Sequence, residues 1–244
     1  INNASITRSN FIIRKLSQSE EECETAFGMG IKLTNCTNYF VEENTFTSSG
    51  QLGGALGTIG IRVANDAEFS VNPTTIYKNQ FNGVERANLA EGKNYQSNSP
   101  KVGLVYECNA NIFNGFDFYF TGQGVAGNQG SLSKAAGNTF STFSTTPQQP
   151  VHISNLAENH VDYYYAPATN QQPLYTGNVT PQQVSTSHGC PSSFGGGGGE
   201  IELMGLSNDQ QTYFEEKLAT SRTAYNSLSN LYNSLVDGGN SSTM

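Results

Sequence analysis

Asn44-Thr45-Phe46, Asn79-Gln80-Phe81, Asn111-Ile112-Phe113 and Asn138-Thr139-Phe140 repeat one phrase, Asn-x-Phe, with steps of 35, 32 and 27 residues between asparagines. A second phrase precedes three of these copies: Gly30-Ile31-Lys32-Leu33-Thr34-Asn35, Gly60-Ile61-Arg62-Val63-Ala64-Asn65 and Gly103-Leu104-Val105-Tyr106-Glu107-Cys108. Each runs glycine, apolar, any residue, apolar, and ends in a polar turn. Two short phrases in fixed order at a loosely fixed period mark a repeat architecture, whose single unit cannot bury its own apolar side.

Within the phrases apolar and polar residues alternate with period two, as in half-buried strands. Ile31 and Leu33 share one face and Lys32 takes the other. Gly, Asn and Pro break the segments before a helix could form. Units of about 30 residues holding two or three short strands suit an all-β, right-handed parallel β-helix, a solenoid of stacked coils. Asparagine tolerates the left-handed backbone of a tight corner, and its amide can bond the copy above. The phrase therefore predicts a ladder of Asn44, Asn79, Asn111 and Asn138, with Phe46, Phe81, Phe113 and Phe140 as a matching aromatic stack. Coil ends expose strand edges that need covering, so residues 1–25 and the segment after Tyr165 read as caps or junctions.

Composition narrows the function. The 244 residues carry 13% charged side chains, a net charge of −8 and no Trp. The composition argues against nucleic-acid binding, because phosphate contacts need clustered Lys and Arg and the 12 basic residues are scattered. No apolar run reaches transmembrane length. Ile1-Asn2-Asn3 shows neither Met nor a signal peptide, so the chain reads as an internal piece of a longer protein.

Four cysteines allow three full pairings. Aligning the phrases puts Cys36 and Cys108 at one coil position about two coils apart, roughly 9–10 Å, beyond disulfide reach. Cys23 with Cys36 closes a short loop and is the favoured bridge, leaving Cys108 with Cys190. The cysteine spacing matches no zinc pattern. Nothing calls for a cofactor.

The coils are expected over 1–165, followed by a loop and Gly-rich linker over 166–200 that ends in Gly195–Gly199. Over 201–244 the period changes to about 3.6. Phe214, Leu218, Tyr225, Leu228, Tyr232 and Leu235 fall on one face of a helix from about Asn208 to Val236. Ser207, Asn208 or Asp209 can cap its start, and Gly238-Gly239 its end. Its apolar stripe can meet its own domain, or act as an interaction helix for another chain or for segments beyond Met244.

Chemistry is sparse. His160 and Asp162 would share a strand face, yet no nucleophile or oxyanion hole accompanies them. Glu20-Glu21-Glu22-Cys23-Glu24 lacks the Gly and carbonyl interleaving of a cation loop. A lyase would cluster Asp66, Glu68, Glu85 and Glu91 beside Arg86 or Lys93. Tyr39, Tyr77, Tyr106, Tyr119 and Tyr163-Tyr164-Tyr165 offer rings for carbohydrate stacking or for the coil walls.

Four strings, Gly83-Val84-Glu85-Arg86-Ala87-Asn88-Leu89-Ala90-Glu91-Gly92-Lys93-Asn94, Gly103 to Asn109, Ala135-Ala136-Gly137-Asn138-Thr139-Phe140 and Asp162-Tyr163-Tyr164-Tyr165, carry a resemblance. They look like the right-handed β-helix region of large secreted surface proteins of Bacteroidetes, exported as cargo of the type IX secretion system. Leu231 to Asn240 resembles the helical segment that follows the β-helix there. The resemblance implies an extracellular location, which suits oxidised cysteines. It carries over no catalytic residue.

The leading reading is a non-enzymatic cell-surface module, a rigid stalk or binding platform of the adhesin kind. Its partners would be neighbouring domains of the same longer chain, secretion or outer-membrane machinery, and carbohydrate. The alternatives are a polysaccharide lyase or hydrolase on the same scaffold, and cargo packed against export machinery.

Overall fold

The computed structural model describes residues 4–14, 28–48, 55–141, 151–167 and 170–194, with Arg222, Thr223, Asn226 and Ser227 near the C-terminus. Two compact units divide the chain, Ile1–Ser192 and Ser193–Met244.

The first unit is all-β. Its strands are β1 (Ser5–Thr7), β2 (Asn10–Ile13), β3 (Gly28–Thr34), β4 (Phe40–Glu42), β5 (Thr45–Ser48), β6 (Ala55–Asn65), β7 (Thr74–Tyr77), β8 (Gln80–Asn82), β9 (Val84–Gln96) and β10 (Ser99–Glu107). Then come β11 (Ala110–Ile112), β12 (Phe116–Phe120), β13 (Gly124–Val125), β14 (Asn128–Gln129), β15 (Thr139–Phe140), β16 (Val151–Asn155), β17 (Val161–Tyr165), β18 (Tyr175–Gly177) and β19 (Val179–Gln183).

Pairing is parallel between strands about 30 residues apart. One column runs β1-β4-β7-β10, a second β2-β5-β8-β11-β15, a third β3-β6-β9-β12-β16-β18, and a fourth β14-β17-β19. From β1 to β12 the chain visits the first three columns in the same order on each pass, adding one rung per pass; the fourth column joins from β14 onward. Among the described strands the one antiparallel pairing joins β9 to β10, through a turn at Ser97-Asn98.

A corner between the first two columns sets the rungs. Arg8, Glu43, Lys78 and Cys108 stand there with φ of 51, 56, 53 and 59°, and Gly137 follows at 75°. This left-handed turn sends the next residue's side chain inward. Those residues are Ser9, Asn44, Asn79, Asn109 and Asn138, the four asparagines all buried. Each amide oxygen accepts from the previous rung: Asn79 Oδ1 takes the Asn44 N–H and Nδ2, both at 3.0 Å. Asn109 Oδ1 takes Asn79 N–H at 3.0 Å and Nδ2 at 3.2 Å, and Asn138 Oδ1 takes Asn109 N–H at 2.8 Å and Nδ2 at 3.1 Å. Asn79 Nδ2 also donates to the Val41 and Tyr77 carbonyls. Ser9 N–H bonds Asn44 Oδ1 at one end, and Asn138 Nδ2 reaches Tyr163 Oη at the other.

The ladder therefore exists, with Asn109 in place of the expected Asn111. Asn111 stands two residues on and pairs in register with Phe81 and Phe140. It occupies the ring column. Phe11, Phe46 and Phe81 stack there with centroids 4.7 and 4.8 Å apart and planes within 8°, close to the spacing of parallel strands. Beyond Asn111 the column resumes with Phe140, whose ring lies on His152 at 4.6 Å. Phe113 is no part of the stack. It sits at a left-handed turn, 38% exposed.

The glycine phrase explains the stack. A Cβ on Gly30 would lie 2.7 Å from the Phe46 ring, and one on Gly60 equally close to Phe81. By register the same column continues as Ala87, Asp117 and His152. After Ala87 the next rung has Asn111 instead of a ring; after Asp117 the ring returns as Phe140, laid on His152. The phrase at Gly103 belongs elsewhere, on β10, where Leu104 and Tyr106 pair with Thr74 and Ile76.

Stacking continues past the expected boundary at Tyr165. β18 pairs with β16 and β19 with β17, both parallel, so residues placed in a linker extend the sheets. Gly195–Gly199 lie outside the described residues. So do the interaction-helix positions Phe214, Leu218, Tyr225, Leu228, Tyr232 and Leu235. The four described residues nearby are helical, and Ser227 Oγ donates to the Thr223 carbonyl at 3.0 Å.

Asn79 satisfies several buried backbone groups at once, whereas Asn111 donates only to the Thr139 carbonyl and leaves its buried Oδ1 unpaired. Removing a partner from buried polar groups costs their desolvation. Asn79→Ala is expected to lower unfolding free energy by roughly 2–4 kcal/mol, and Asn111→Ala by less than about 1 kcal/mol. Urea denaturation of the two variants checks the order.

Asp117 is buried beside Asn114, whose Nδ2 donates to Oδ1 at 2.9 Å. Burial pushes its carboxyl up to about 8, against the lowering effect of that hydrogen bond. The folded protein then keeps a proton that the unfolded chain loses above about pH 4. Stability contributed by this group is complete below that value and is lost as pH rises towards 8. Asp117→Asn keeps the acceptor for Asn114 and removes the ionisation. It should match the parent near pH 4 and melt on the order of 5 °C higher at pH 8.5. Parallel melting-temperature profiles across that range would contradict this account.

Candidate functional site

The outer side of the Asn corner is the most chemically crowded region among the described residues. At the left-handed position, successive rungs stack Arg8, Glu43 and Lys78. Glu43 bonds Arg8 Nε at 2.9 Å and lies 3.3 Å from Lys78 Nζ. The Ser192 hydroxyl and the Arg8 guanidinium hold its carboxyl down at about 2. The next rung places Cys108 at this position, fixed by its N–H to the Ala136 carbonyl at 2.9 Å.

One residue earlier, the same rungs stack Glu42, Tyr77 and Glu107. Glu42 is buried. Over this column runs the irregular strand-free segment 184–192. Ala135 N–H bonds the Thr186 carbonyl, His188 Nε2 lies 3.3 Å from Glu107 Oε2, and Tyr77 Oη donates to the Pro191 carbonyl at 2.7 Å. Burial and the carboxylates of Glu42, Glu107 and Glu43 push the Tyr77 phenol up to about 12.

A disulfide between Cys108 and Cys190 fastens this strap, closing a sequence separation of 82 residues. His188 is packed against it with a side chain 4% exposed. Its Nδ1 accepts the Cys190 N–H at 2.9 Å, which puts the neutral ring's proton on Nε2, facing Glu107. Burial, and then the Lys134 ammonium, hold this imidazole below its ordinary pKa against the opposing pull of Glu107. Gly137 makes the arrangement fit: its Cβ would lie 2.7 Å from His188 Cβ and 3.1 Å from both sulfurs.

Other sequence candidates disperse. His160 does meet Asp162, at 3.5 Å, but Asp162 also faces Lys101 and the second ring nitrogen of His160 faces Asn178. Asp66 accepts from Asn35, Glu91 pairs with Arg62, and Glu85 takes the Gly57 N–H and lies near Arg86. Arg86 itself lies over the Tyr119 ring, and Lys93 bonds Ser97 and the Ala67 carbonyl. These acids are partnered one by one along the strand walls rather than gathered. Tyr39, Tyr106 and Tyr163 are buried in the core. Of the expected Cys23–Cys36 pair, Cys36 is a free thiol that donates to the Thr34 carbonyl. Cys23 and the acidic run at 20–24 lie outside the described residues. No helix among the described residues is long and apolar enough to cross a membrane.

The Cys108–Cys190 bridge is the pairing the sequence reading left over, but the place of His188 against it and Glu107 escaped that reading, because His188-Gly189-Cys190 matches no metal or redox spacing. Comparison with protein-family models, with curated proteins and with solved structures finds no match.

Closing a loop of this length removes about 4.5 kcal/mol of chain entropy from the unfolded state. Cys108→Ser with Cys190→Ser is therefore expected to lower unfolding free energy by roughly 2–4 kcal/mol. It should also free the strap, raising amide exchange at Thr186–Ser192 while Asn79 and Asn109 stay protected. Hydrogen-exchange mass spectrometry reads both effects.

Proposed function

We propose that the chain is a right-handed parallel β-helix serving as a non-enzymatic extracellular module, a stiff stalk or binding platform of the adhesin kind within a larger exported protein. One observation carries this reading: a hydrogen-bonded ladder and an aromatic column repeat at the same corner through successive rungs, while Asp66, Glu85 and Glu91, the acids a lyase would gather, are each tied to a separate partner. Such a stack gives length and mechanical continuity, while active-site chemistry would need convergent groups. Parallel crossovers in one sheet are overwhelmingly right-handed, which supports the hand. The disulfide suits an oxidising compartment. The resemblance to type IX cargo of Bacteroidetes supplies the export route in this proposal.

Antibodies raised against residues 28–192 test it on intact producer cells. Surface labelling, together with loss of cell attachment to host or glycan-coated surfaces when the segment is deleted, is the expected result. Labelling only after lysis would overturn the extracellular assignment. Release of unsaturated or reducing sugars from a polysaccharide panel by purified protein would overturn the non-enzymatic one.

A further inference from the structure

We propose that, once the Cys108–Cys190 bond is reduced, Cys108, Cys190 and His188 bind a soft divalent cation of the zinc type, with Glu107 orienting the histidine. One ligand atom from each of these three residues lies within 4.8 Å of the others. Two thiolates and an imidazole are the donor set that zinc favours over harder cations. Three protein ligands leave one position of a tetrahedral ion open to water.

The backbone suits both states. Cys108 is held at a fixed corner, between the Lys78 and Gly137 rungs, while Cys190 lies on the strand-free strap. A dithiol or phosphine reductant delivers two electrons, and the S–S bond becomes two thiols with two protons taken up. Metal binding then releases those protons as the thiolates coordinate. Tetrahedral geometry with bonds of about 2.3 Å sets the sulfurs about 3.8 Å apart, a separation the strap can supply without moving the rung.

The histidine is already prepared. Nε2 faces Glu107 at 3.3 Å, and Nδ1 faces the Cys190 turn. Nδ1 gives its lone pair to the ion in place of the Cys190 N–H. Nε2–H stays on the carboxylate, the orientation that raises ligand basicity in metal-bound histidines. Gly137 keeps open the space over the sulfurs that any Cβ would fill. Metal and disulfide use the same two sulfurs, so the site is loaded only in the reduced protein. A small-molecule disulfide takes two electrons from the paired thiolates and leaves as two thiolates, which re-forms the Cys108–Cys190 bond, expels the ion and locks the strap.

The experiment uses the full chain with Cys23→Ser and Cys36→Ser, reduced by a phosphine under argon and titrated with Co²⁺. One ion per chain is expected, with sulfur-to-cobalt charge-transfer absorption and the visible bands of a tetrahedral site, both erased by Zn²⁺. The oxidised protein should show neither. His188→Ala should weaken binding at least tenfold. Glu107→Gln, at a side chain 22% exposed, tests the same histidine with the packing undisturbed and should weaken it about tenfold. Absence of a one-to-one thiolate complex, equal binding by the oxidised form, or unchanged affinity in both variants overturns the proposal.

Discussion

An amide oxygen reaching back to the previous rung, repeated from Asn44 to Asn79 to Asn109 to Asn138, is the contact on which the rest of this fold depends. A left-handed corner saves space but turns backbone groups away from ordinary strand partners. Left buried and unpaired, they would cost more than the corner gains. Asparagine answers both demands, since one side chain accepts from the rung before it and donates to backbone carbonyls around it. Because every step of the ladder spans one strand spacing, the same pitch brings the phenylalanine rings into face-to-face contact. Ring stacking then adds to the burial already obtained. Gly30 and Gly60 are small because those rings need the room.

Outside the corner the same pitch lines up unlike groups. Arg8, Glu43 and Lys78 form alternating charges that are worth little individually at an exposed site. One rung further the position turns from charge to sulfur, and the chain's late segment is bonded across it. The strap bonds the phenol of Tyr77 and sets His188 on Glu107. Stability there rests on a covalent tie and a few hydrogen bonds, whereas the interior rests on repetition.

How far this was legible in the sequence follows from what each residue contributes. Period-two phrases and inward asparagines depend on side-chain type, so they could be read directly. The uneven steps of 35, 32 and 27 were the trace of one misaligned copy, because Asn109-Ala110-Asn111 carries no Phe and the eye passes to Asn111-Ile112-Phe113. The left-handed residues themselves leave no mark, being Arg, Glu, Lys and Cys at equivalent corners. The glycine phrase was too short to be unique, which is how Gly103 came to stand with Gly30 and Gly60. At the far end β18 is exposed along its length, so apolar alternation vanishes although the pairing persists. The strap has no period at all. Its place depends on tertiary contacts: the leftover pairing of Cys108 with Cys190 brought it to the right rung, but nothing in the sequence set His188 against Glu107.

The substitution at Asn111 has a consequence of a different kind. A stack of near-identical rungs can, in principle, pair one step out of line, since every ring finds another ring and every amide another amide. Slippage of that sort is the standing hazard of weakly specified strand register. A single odd member ends the degeneracy: shifting the chain by one rung would drive a ring against Ala87 or leave Asn111 facing a glycine. The gap in the aromatic column thus works as an index mark, telling each pass of the chain which level of the stack is its own.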